Sequence, residues 1–158
     1  MNPKSNDYRL RSIELDDMLP EVFVNESIPH SEVWLTHLRF ERGRHYLIEA
    51  PSGGGKSSLM AYIFGSRCDY KGILRFNNRD ARELHPDSWQ LLRRRHLAYL
   101  PQELDLFPEL TAIENIRLKN DLTGHVPESR IDEWLERLGI ASRRESPAGR
   151  MSIGQQQR

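Results

Sequence analysis

Residues 50 to 58 run Ala-Pro-Ser-Gly-Gly-Gly-Lys-Ser-Ser, a stretch that fits the relaxed pattern [AG]xxxxGK[ST]. Glycines let a backbone curl without side-chain clash, so several N–H groups can point at one anion. A lysine after the last glycine adds a point charge, and the hydroxyl that follows is a hard oxygen ligand. The chemistry of such a stretch is the binding of a phosphate chain together with Mg²⁺. Ala50, Pro51, Ser52, Gly53, Gly54 and Gly55 form the cradle. Lys56 reaches the β- and γ-phosphates, Ser57 binds Mg²⁺, and Ser58 sits by the α-phosphate. Ala50 replaces the first glycine of the strict pattern. An alanine there costs about 1 kcal/mol or more only if its φ must be positive. It stands where a strand exits, so little effect on binding is expected.

A phosphate loop needs a strand before it and a helix after it. "HYLIEA", residues 45–50, predicts a short buried strand, and Leu59, Met60, Ile63 and Phe64 recur at helical spacing beyond the loop. Upstream, "YRLRSIEL" and "EVWLTHLRFE" alternate apolar and polar residues as half-buried strands do, and Glu41 to Gly43 is a turn signal. Downstream, "GILRFN" predicts a strand. "HPDSWQLLRRR" predicts a short helix capped by Asp87 with Gln90 as its partner, and "HLAYLPQ" a strand that Pro101 ends. Beyond Pro108 the pattern turns helical. Thr111 and Glu114 make a capping box for "AIENIRL". "PESRIDEWLERLG" is amphipathic, with Pro127 near its start, Ile131, Trp134, Leu135 and Leu138 on one face, and Gly139 after its end. "MSIGQQQR", residues 151–158, has the pattern of the opening of a further helix. The change of character falls near residues 103–110.

Composition narrows the partners. The 158 residues carry 23 Lys and Arg against 23 Asp and Glu, so no charge excess points to nucleic acid or to an acidic partner. The densest basic run, Arg93 to His96, is a solvated helix end favoured by the macrodipole in preference to a nucleic-acid patch. Cys68 is the single cysteine, so no intrachain disulfide forms, in keeping with a reducing compartment. The six histidines show no metal-ligand spacing, and no apolar run approaches membrane-spanning length.

Three stretches together resemble the nucleotide-binding domain of ABC ATPases: "APSGGGKSSL", "LAYLPQELDLFPELTAIENI" at residues 97–116, and "MSIGQQQR", which is similar to the family signature LSGGQQQR. Their order and spacing agree with the family over residues 45–158. The resemblance implies an α/β fold: a P-loop NTPase of the ABC ATPase type with an antiparallel β subdomain, a partial RecA-like core and a helical subdomain. The expected division is 1–108, the ATP-binding core through the Q-loop strand, and 109–158, the helical subdomain up to the signature helix. By the same resemblance Gln102 is the Q-loop glutamine, which ligates Mg²⁺ or orients the attacking water. Ser152, Gly154 and Gln155 close over ATP held by another subunit. Phe23 is the candidate for stacking on the adenine, and an ordinary packed hydrophobe is the other reading of it. The implied ligands are ATP and Mg²⁺. The implied partners are a second nucleotide-binding domain, as homo- or heterodimer, and a membrane permease docking near residues 103–120. That places the chain in the cytoplasm, peripheral at the inner face of the membrane. Ile153 departs from the signature, which has glycine there. A β-branched side chain narrows the approach of backbone and phosphate, so a weakened cross-subunit contact is expected.

In the family, the signature helix precedes an apolar strand ending in Asp-Glu, the Walker B motif, and later a switch histidine. Residues 1–158 contain neither. The expectation is therefore a fragment truncated before the Walker B strand. It would be an ATPase by family, without useful turnover alone, and poorly soluble or partly unfolded. Two rivals stand beside it: a non-hydrolysing nucleotide-binding or regulatory module, and a small-molecule kinase built on the same loop.

Overall fold

Ile13 and Leu15 alternate with Glu14 and Asp16, and this period of two makes a sheet with one apolar and one polar face. In the computed structural model, which describes residues 9–25, 30–101, 104–124 and 126–158, that sheet has four antiparallel strands. They are β1 (Ser12–Pro20), β2 (His37–Glu41), β3 (Tyr70–Phe76) and β4 (Arg79–Asp80), in the order β2-β1-β3-β4. The register puts Phe40, Ile13 and Phe76 in one row and Leu38, Leu15 and Leu74 in the next. Glu14 stands between Arg39 and Arg75 on the other face. There Arg39 meets Glu14 at 2.7 Å and Arg75 meets Asp16 at 3.1 Å.

The chain divides into two compact units, Met1–Tyr99 and Leu100–Arg158. In the first, the apolar sheet face shares one core with helix α1 (Lys56–Phe64) and helix α2 (Pro86–Arg95). Leu15, Met18, Leu59, Tyr62, Leu74 and Phe76 are all but fully buried. The second unit packs helix α3 (Ala112–Thr123) with helix α4 (Glu128–Arg137) and ends in a short helix α5 (Ile153–Gln157). Its core is Ile113, Ile131, Leu135 and Ile140.

Several expectations from the sequence are corrected. Of "EVWLTHLRFE", only residues from His37 on form a strand. Upstream, the Ser31 hydroxyl accepts from the N–H groups of Val33 and Trp34, and that local turn competes with the ladder. Leu35 takes a left-handed φ of 58°. Neither residues 45–50 nor the described residues 97–101 form a strand. A buried parallel strand exists only where neighbours take its hydrogen bonds, and none of the described strands pairs with either segment. Helix α2 is capped by His85, whose Nδ1 accepts from the Asp87 N–H at 3.4 Å. Pro86 takes the first helical position, which moves the cap one residue ahead of it. On α4 the buried seam is Ile131 and Leu135. Trp134 and Leu138 are exposed, with the Arg130 guanidinium over the Trp134 ring.

Candidate phosphate-binding site

Residues 50–55 curl into the start of α1 because two of their glycines adopt backbone that other residues avoid. Gly53 has φ +82°, and Gly55, the N-cap, has φ +85°. Space is as tight as the dihedrals. A methyl group at Gly54 would lie 2.9 Å from the Ala50 Cβ and 3.1 Å from the Pro51 carbonyl oxygen. One at Gly55 would lie 2.9 Å from Trp34 Cζ2 and 3.1 Å from Phe23 Cε2. The loop therefore rests on two aromatic rings. It is also tied to one of them: the Trp34 indole N–H donates to the Gly54 carbonyl at 3.1 Å. Within the loop, the Gly54 N–H donates to the Pro51 carbonyl at 3.1 Å.

Lys56 opens the helix. Its ammonium folds back over the loop and donates to the carbonyls of Ala50 and, at 3.0 Å, Pro51. Ser52, Gly53, Lys56 and Ser57 are exposed, and Ser58 is half-buried. The first-turn amides of Lys56, Ser57 and Ser58 have no acceptor within the helix and sit at its positive end. Converging amides, a cation and hydroxyls on an open surface suit a phosphate chain. The exposed Ser57 hydroxyl, next to where phosphate oxygens would lie, suits Mg²⁺, which keeps several waters and asks for few protein ligands.

The structure brings Phe23 to the loop. It ends a 3₁₀ turn, Glu21–Phe23, and its half-buried ring also packs on the core. Trp34 was not foreseen. The alternation in "SEVWLT" assigns it to the polar face of a strand, yet it is buried with 6% exposure. A signal was present, since an indole on a polar face needs cover for its ring and an acceptor for its N–H.

In the second unit, Ser152 is the N-cap of α5. Its hydroxyl accepts from the Gln155 N–H at 3.3 Å, and the Gln155 side chain accepts from the Ser152 N–H at 3.0 Å. No heavy atom lies within 4 Å of where a Gly154 Cβ would stand, and Ile153 is 72% exposed. Gln102 lies outside the described residues. A groove of 410 Å³ in the first unit is lined by Phe40, Tyr46, Ile48, Met60 and Ile63 with arginines at its rim, and none of residues 50–58 borders it.

The family model described as ABC transporter matches residues 35–158. The lipoprotein-releasing system ATP-binding protein LolD of Novosphingobium aromaticivorans is 34% identical over 125 residues, covering 77% of this chain and 56% of LolD. The macrolide export ATP-binding/permease protein MacB of Sodalis glossinidius is likewise 34% identical, covering 77% of this chain and 19% of MacB. The chain thus spans little more than half of one relative and a fifth of the other. Among solved structures, a dimeric ATP-binding cassette in a post-hydrolysis state, bound to ADP and Pi, superposes with a TM-score of 0.68. It is 24% identical and covers 91% of this chain and 65% of its own. At that identity the likeness speaks for the fold alone. No helix among the described residues is long and apolar enough to cross a membrane.

Proposed function

The chain belongs to the ABC transporter family and has the fold of an ATP-binding cassette, and we propose that it is the ATP-binding component of such a system, holding Mg-ATP at residues 50–58. The observation that supports this most is the loop itself. Two left-handed glycines, the Trp34 clamp and the first turn of α1 give a phosphate chain a ready-made seat. Lys56 exchanges its contacts with the Ala50 and Pro51 carbonyls for the β- and γ-phosphates. Ser57 would be a protein ligand to Mg²⁺, whose charge would offset that of the phosphates, and Ser58 donates to the α-phosphate. Phe23, already against the loop, offers a ring face for the adenine.

Ser152, Gly154 and Gln155 are proposed to close over the nucleotide of a second subunit. The Ser152 hydroxyl accepts within its capping box and so keeps its proton for a phosphate oxygen. The open space at Gly154 leaves room for that approach. Gln102 is proposed to ligate Mg²⁺ or orient the attacking water, and residues 103–120 to meet a membrane permease, which would place the chain at the inner face of the membrane. ATP hydrolysis is the activity proposed for the assembled system. The domains proposed remain 1–108 and 109–158.

A non-hydrolysing nucleotide-binding or regulatory module is favoured by one feature, the exposed Ile153 where the signature has glycine. Sedimentation of the chain with and without Mg-ATP separates the two. Dimers that form with ATP and vanish in Ser152→Ala support the transport component. A chain that binds ATP as a monomer supports the module.

A further inference from the structure

Beside the phosphate loop stands a cation that no motif assigns. After Gly65 ends α1, the chain folds back so that the N–H of Arg67 donates to the Ala61 carbonyl at 3.4 Å. The Arg67 side chain then runs along the helix. Its guanidinium lies 5.4 Å above the Tyr62 ring centre. Its Nε donates to the Asp69 carboxylate at 2.9 Å, with a second contact from Nη2. Its remaining arm, Nη1, donates to the Ser58 hydroxyl oxygen at 3.1 Å. Tyr62 braces the same group from below by donating to the Asp69 carbonyl at 3.0 Å. Arg67, held by Tyr62 and Asp69, thus reaches the third residue of α1.

A guanidinium has donors only. Once Ser58 Oγ accepts from Arg67, its own proton must go elsewhere. The Tyr62 phenol oxygen is a neutral acceptor, weaker than a phosphate oxygen. Asp69, whose carboxyl is held below its ordinary value mainly by the hydrogen bond from Arg67, fixes the guanidinium in the plane that serves Ser58. We infer that Arg67 is a positioning residue for the nucleotide: it sets the Ser58 hydroxyl as a donor aimed at the first phosphate. This rests on the nucleotide reading of residues 50–58.

The test is a double-mutant cycle on the full chain, with ADP and ATP affinities measured by equilibrium dialysis in Mg²⁺. Arg67→Ala and Ser58→Ala each weaken binding by about five- to tenfold. The double variant is no weaker than either alone, because both remove one coupled contact. The loss is equal for ADP and ATP, since both carry the first phosphate. Arg67→Gln, which keeps a donor amide, retains most of the affinity, and it stands in if the alanine variant fails to fold. Multiplying losses, a loss confined to ATP, or an unchanged Arg67→Ala would overturn the inference while leaving the phosphate loop intact. A parent chain that binds neither nucleotide would overturn the function and this inference together.

Discussion

Gly55 carries two constraints at once, a left-handed backbone and a ring edge where a side chain would go. Gly55→Ala should therefore cost about 1 to 3 kcal/mol of stability and displace the loop, read as a lower melting temperature and lost ATP binding. Trp34→Phe keeps the ring contact but removes the N–H that holds the Gly54 carbonyl. The expected cost is about 1 kcal/mol, with ATP affinity falling severalfold. In calorimetric titration, unchanged affinity would show that the indole clamp is unnecessary. Ile153→Gly should strengthen ATP-dependent dimerisation in sedimentation, since the exposed branched side chain stands at the signature's approach. At this scale the sequence was most legible. Glycine, lysine and serine carry their chemistry in their types. Trp34 and Arg67 were not legible, because their roles come from partners 20 and 9 residues away.

The elements divide by how local their causes are. The capping box of α3 could be written down from "TAIE" and is present: the Thr111 N–H and hydroxyl both donate to Glu114 at 2.8 Å, and the Glu114 N–H donates to Thr111. Those bonds hold the Glu114 carboxyl below its ordinary value of 4.5, the Thr111 backbone N–H contributing most. A depressed folded value means the contribution is complete above about pH 4.5 and fades as pH falls through the lower folded value. Thr111→Ala should cost about 1 kcal/mol at pH 7. In urea titrations the gap between parent and variant should narrow below pH 4. A gap independent of pH would remove Glu114 from the account. Helices and caps depend on neighbours three or four residues apart, so the sequence carries them. Residues 45–50 and 97–101 have strand-like sequences without strands, because a ladder depends on partners distant in the chain. Leu35 shows the same limit within one segment: the alternation ran through it, but Ser31 turned the backbone first.

At the scale of the whole molecule, each unit has its own buried core, yet apolar side chains remain in water. Leu47 is 84% exposed and Leu100 81%. Side chains in that position contribute no packing and favour association. Replacing both with lysine should reduce aggregation in light scattering without lowering the melting temperature. A marked drop in melting temperature would mean the two are packed in solution. The family was legible because three motifs lie in the right order over most of the chain. The central claim is that residues 50–58 hold Mg-ATP, and equilibrium dialysis of labelled ATP against the parent chain and Lys56→Ala tests it most directly. Saturable, Mg²⁺-dependent binding by the parent and at least tenfold weaker binding by the variant is the predicted result. Equal binding by both chains, or none by the parent, would contradict it.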